Sequence, residues 1–87
     1  MKSAQPYFPP FEAAVDLFQR TAGLSAKVTA IRSPRKWFDE FRAAFPEETA
    51  RDVRYHGAAV QLVETQDFVS VRGTTIEGHE FEWPEPS

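Results

Sequence analysis

Two imidazoles, His56 and His79, are the most direct candidates for proton transfer in this sequence, because histidine ordinarily titrates near neutrality. Neither stands at a spacing that pairs it with a serine nucleophile. His56 precedes Gly57 where a turn is expected, and His79 opens the last strand-like run, so the expected roles are a polar turn residue and a half-buried aromatic. A metal site built from His79 with Glu77, Glu80 or Glu82 meets a geometric objection. Neighbours one apart on a strand point to opposite faces, and no second histidine lies nearby. The carboxylate pairs Glu47/Glu48 and Glu80/Glu82 could do acid–base work only in a cleft that separates their pKa values. Gly23, Gly57, Gly73 and Gly78 stand singly, so there is no phosphate-cradling loop. The absence of cysteine removes thiolate ligands, a cysteine nucleophile and disulfides. Nucleophile, proton carrier and charge stabiliser are not assembled together, and the expectation is a protein that is not an enzyme, with no metal and no cofactor.

The sharper feature is cationic. Arg32, Arg35 and Lys36 crowd the start of an expected helix, the end where the macrodipole favours negative charge. Free N–H groups, the Ser33 hydroxyl and these three side chains would suit a phosphate, a nucleic-acid backbone or a partner's carboxylates. Arg51 and Arg54 extend the candidate binding set. The competing expectation is a solvated face in which Arg35 pairs with Asp39 and Lys36 with Glu40 at i, i+4.

Charge is distributed unevenly around the formal total of −3. Residues 1–60 hold nine Lys or Arg against seven Asp or Glu, whereas residues 61–87 hold one against six. Such polarity points either to a charged partner or to two parts of one fold attracting each other.

The elements that must position these groups follow from periodicity. Phe11, Ala14, Val15, Phe18 and Ala22 recur at helical spacing, with Pro10 in the first turn and Gly23 as the stop, which predicts a helix over 10–22. Val28, Thr29 and Ile31 predict a strand or extended connector over 27–31. Ser33 as N-cap, Pro34 at the first helical position and the apolar face Trp37, Phe38, Phe41, Ala44, Phe45 predict a second helix, ended by Pro46. A helical turn leading into extended chain is expected after it. The runs 58–64 and 68–72 read as strands joined by a hairpin at Thr65-Gln66-Asp67. In the last run, Phe81 and Trp83 should share one face with His79, and Glu80 and Glu82 the other.

Eighty-seven residues support one core, and eight Phe and two Trp supply its bulk. The expected architecture is α+β: two or three helices packed on one face of a three- to four-stranded antiparallel sheet, helices mostly N-terminal and strands C-terminal. Residues 1–87 form one domain with proline-rich extended ends at about 1–9 and 84–87, where Tyr7, Phe8 and Trp83 either dock or face a partner. No run has signal-peptide or membrane-span character, so a cytoplasmic location without membrane association is expected.

By elimination the expected function is a non-enzymatic protein–protein interaction module, a small regulator or inhibitor, using Arg32, Arg35, Lys36, Arg51 and Arg54. The alternative is a nucleic-acid or other phosphate binder, disfavoured by the acidic C-terminal third, and the third possibility is a small enzyme or enzyme subunit acting through His56 or His79.

Overall fold

Phe8 sits in β conformation, and the helix that starts on the next residue buries Phe11, Ala14 and Phe18 along one stripe. This is the first element of a computed structural model that describes residues 7–84. The elements run α1 (Pro9–Ala22), β1 (Lys27–Ser33), α2 (Arg35–Ala44), β2 (Arg54–Tyr55), β3 (Ala58–Leu62), β4 (Ser70–Thr74) and β5 (Glu80–Trp83). Gly23 closes α1, its N–H bonding to the Gln19 carbonyl, with a φ of 109° that suits glycine. At the second helix the residue before the first helical one is Pro34, not Ser33. Ser33 remains in β1 and its Oγ donates to the Pro34 carbonyl at 2.9 Å, so the expected side-chain cap is absent. The turn after α2 forms as expected, with Thr49 N–H bonded to Phe45 O, and leads into β2.

The sheet differs from expectation in strand number and direction. It has five strands in the order β2-β3-β1-β4-β5, and β1 pairs parallel with β3 while every other pairing is antiparallel. The sheet is therefore mixed. The expected hairpin at 65–67 does not form, because β1 lies between β3 and β4, with Ile31 opposite both Val60 and Val71. The connection from β1 through α2 returns the chain alongside β1 in the same direction, and the segment between β3 and β4 then crosses the end of β1. Val63 N–H bonds to Ser33 O, and Gln66 Nε2 donates to Phe68 O at 2.9 Å, fixing that crossing. The tight hairpin is instead β2–β3, turned on His56 (φ 51°) and Gly57 (φ 88°), the two positive values that a type I′ turn requires.

Both helices lie on one face. Ile31, Val60 and Val71 point toward them and join Phe11, Phe18, Phe41 and Tyr55 in one apolar cluster. Phe8, Phe11, Phe41 and Tyr55 meet edge-on or tilted at ring separations of 4.8–5.7 Å, so a short aromatic stack fastens α1 to α2 and to β2. At the other end Phe18 meets Phe81, and it lies so close to Gly73 that a Cβ there would stand 2.7 Å from its Cζ. Phe8 belongs to this core, so the N-terminal end docks from that residue onward, while Tyr7 is exposed. The rest of the two proline-rich ends, residues 1–6 and 85–87, lies outside the described residues. Among the described residues no helix is long and apolar enough to cross a membrane.

Among the described residues no helix covers the opposite face. The cross-strand register puts Arg54, Ala59, Ala30, Arg72 and Glu82 in one row there, flanked by Gln61, Arg32 and Ser70 on one side and Lys27, Thr74 and Glu80 on the other.

Candidate functional site

The five cations expected to bind a ligand occupy three settings. Arg35 and Lys36 open α2, Arg51 lies in the loop after it, and Arg32 and Arg54 project from the open sheet face.

Arg35 forms a two-pronged bond with Glu64, Nε to Oε1 and Nη2 to Oε2, each at 3.0 Å, and reaches Asp39 at 3.6 Å. The guanidinium holds the Glu64 carboxyl below its ordinary range, and that carboxylate raises the arginine further. Glu64 thereby offsets the positive charge that the helix start disfavours. Lys36 does not pair with Glu40 but lies over the Trp37 ring, its Nζ 4.7 Å from the centroid. Arg42, one and a half turns on, sits similarly over Phe38 at 5.9 Å. The aromatic face of α2 is only partly consumed by the core: Phe41 is fully buried, while Trp37, Phe38 and Phe45 stay partly exposed. Trp37 and Phe38 thus flank Phe41 on the core-facing side of α2, packed against the core yet partly exposed at its edges, each with a cation on its ring. Arg42, Trp37 and Phe38 were not singled out as binding residues from sequence, where the rings are best explained as core.

On the open face Glu82 is the centre of a network. Its carboxylate accepts from Arg32 Nη1 at 3.3 and 3.4 Å, lies 3.5 Å from Arg72 Nε, and accepts the Ser70 hydroxyl at 2.8 Å. Arg72 also reaches Glu80 at 3.2 Å. Arg54 donates to Asp52 and to the Gly57 carbonyl. Arg51 is exposed, with no ion pair among the described residues. Arg32–Glu82 and Arg35–Glu64 join the basic first part of the chain to its acidic last part, so the uneven charge seen in the sequence is partly used inside the fold.

The histidines are far apart in role. His79 is exposed rather than half-buried, and its main chain closes the β4–β5 turn through Thr75. His56 is in a turn as expected, and it also lines a groove of about 350 Å³ beside α1. Glu12 lines the same groove and accepts the Tyr55 hydroxyl at 2.6 Å, while the Tyr55 oxygen accepts from the Phe8 N–H at 3.3 Å. Burial first, and then the bond to Glu12, push the Tyr55 phenol up to about 12. Among the described residues no group of three or more His, Cys, Asp or Glu side chains could hold a metal ion.

Compared with known proteins, the chain matches no family model, no curated protein and no solved structure.

Proposed function

We propose that this protein is a non-catalytic module that presents the partly exposed aromatic edges of α2 to a partner protein, regulating or inhibiting it by occupancy. One observation supports this most: Trp37 and Phe38 remain partly exposed on a short helix, with Lys36 and Arg42 resting on their rings. Tryptophan, phenylalanine and arginine are enriched where protein interfaces bury their centres, and the stacked cations would form a polar margin around such a centre. Arg35, its guanidinium held by Glu64 and Asp39, fixes the start of the same helix.

A phosphate-bearing ligand finds less support. To reach the guanidinium groups it would have to displace Glu64 and Asp39 from Arg35, Glu82 from Arg32 and Asp52 from Arg54.

The test compares the tagged protein with its Lys36→Glu, Arg42→Glu double variant in pull-downs from the source cells, quantified by mass spectrometry. Both substitutions lie on exposed positions, so the fold should persist. A partner enriched by the parent protein and reduced at least ~tenfold by the variant, about 1.4 kcal/mol or more of binding, supports the proposal. An unchanged partner set removes α2 from the interface. Nucleic acid retained instead, and lost steeply as salt rises, favours the phosphate alternative.

A further inference from the structure

Among the described residues only two carboxylates are not exposed, Glu12 and Glu82. Their surroundings differ. Glu82 lies against two arginines and a hydroxyl, whereas Glu12 has no cationic partner among the described residues and accepts from Tyr55 alone. A partly buried carboxylate without a counter-charge is unfavourable unless water or a ligand supplies what the protein does not. Its place in the first turn of α1 offsets part of this through the helix dipole.

Space lies in front of it. The groove of about 350 Å³ has Val15, Val28 and Ala58 as apolar walls, with Glu12, Tyr55 and His56 also lining it. Among the described residues no lysine or arginine lines it. The phenol keeps its proton far into the alkaline range and directs it at Glu12 Oε1. A carboxylate offers about four lone-pair positions, and Tyr55 takes one, so acceptors remain for a donor in the groove.

His56 completes the site at a conformational cost. Its φ of 51° is a left-handed value that a non-glycine residue adopts only at a cost, and Asn-Gly or Gly-Gly would form the same turn more easily. The imidazole held there lies 4.3 Å from the Tyr55 ring, between centroids. A backbone held in a sparsely populated region beside a cavity is a feature found at ligand clamps.

We propose that the groove between α1 and the β2–β3 turn binds a small organic ammonium with an apolar body, its charge on Glu12 and its body against Val15, Val28 and Ala58. This site is separate from the aromatic edges of α2 and does not depend on the partner proposed there.

The experiment is an amide NMR titration of the full chain at pH 7 with phenethylamine, and in parallel with 3-phenylpropionate, similar in shape but opposite in charge. Phenethylamine should shift the amides of Val15, His56 and Ala58 in a saturable way, with Kd on the order of 1 mM for so small a ligand. The carboxylate should bind at least ~tenfold more weakly. Glu12→Gln keeps an acceptor for Tyr55 and hence the fold, and it should weaken the amine at least ~tenfold. Equal shifts from amine and carboxylate, amine binding unchanged in Glu12→Gln, or no shifts up to roughly 20 mM would each overturn the proposal. The amine-against-carboxylate comparison uses the unaltered protein, so a poorly folding variant would not obscure the outcome.

Discussion

The Tyr55 hydroxyl donates to Glu12 across 2.6 Å and accepts from the Phe8 N–H, so one phenol ties edge strand β2 to the first turn of α1 and to the chain entering it. The residues it joins are 43 apart in sequence, and the ring also packs on Phe11 and Phe41.

Tyr55→Phe should keep the ring packing and lose both hydrogen bonds, destabilising the protein by roughly 1–3 kcal/mol in urea unfolding, since one bond is to a charged group and one leaves a main-chain donor unpaired. The same residue sets an alkaline limit. Its pKa is raised from 10.0 to about 12, so the folded state holds the proton more tightly than the unfolded chain. The resulting stabilisation is complete below pH 10 and is lost as pH rises through 12. Unfolding midpoints should fall over that window in the parent protein and less steeply in Tyr55→Phe.

Gly73→Ala should be among the most disruptive small substitutions. The new Cβ would meet the Lys27 carbonyl oxygen and the Phe18 ring, one main chain and the other fully buried. Neither can retreat without opening the β1–β4 pairing or the core, so a loss of about 2–3 kcal/mol is expected in thermal or urea unfolding. Val71→Ile, which enlarges a side chain at another buried β4 position without adding a main-chain clash, provides the comparison. It should cost less.

Phe41→Ala should be the most destabilising of these substitutions. Phe41 is completely buried and touches Phe8, Phe11, Phe45 and Tyr55. Its truncation should cost about 3–5 kcal/mol, a large part of the roughly 4–13 kcal/mol that a domain of this size has in total. Urea unfolding followed by circular dichroism at 25 °C reads the result. A cooperative transition within about 1 kcal/mol of the parent would contradict the aromatic stack as the joint between the helices.

The Arg35–Glu64 pair should be visible in a carboxyl titration by NMR. Glu64 is expected to titrate below its ordinary value in the parent protein and to return toward it in Arg35→Gln. The associated stability, from a depressed carboxyl, is present above the ordinary pKa and lost as pH falls, and it is small because both side chains are exposed. An unshifted Glu64 in the parent would remove its role at the start of α2.

Local periodicity made much of this arrangement legible. The stripe of α1, the aromatic face of α2, Gly23 as a stop and the alternation of Phe81 and Trp83 with Glu80 and Glu82 all depend on spacing within one element, and each is found in the structure. Strand pairing was not legible. The runs that became β3 and β4 are close in sequence and resemble a hairpin, but β1 has two edges to satisfy and Ile31 to bury, so it takes one run on each side. Nothing local marks that insertion. The cap failed for a related reason: Ser33 is needed as the last residue of β1, opposite Leu62, and cannot also turn into the helix.

The candidate site shows the same division. Arg35 and Lys36 stand out from charge at a helix start, but their partners do not. Glu64 comes from beyond β3 and Trp37 carries Lys36 on its ring. Glu12 gave no signal at all, because an acidic residue in the first turn of a helix is ordinary. Only the strand that brings Tyr55 beside it, and the lack of a cationic partner among the described residues, set it apart.

The middle position of β1 also governs how the chain reaches its native form. This strand is made early, yet both of its hydrogen-bonded neighbours follow α2, so the sheet cannot be completed by zipping up adjacent segments. Most of the pairing entropy must be lost in closing long loops before the contacts return it, which places folding in a slower regime than that of a helical bundle of equal length. Stopped-flow refolding should therefore show a rate set by the joining of distant segments, and a nascent chain released before Val71 would carry an unprotected β1 edge open to misassociation.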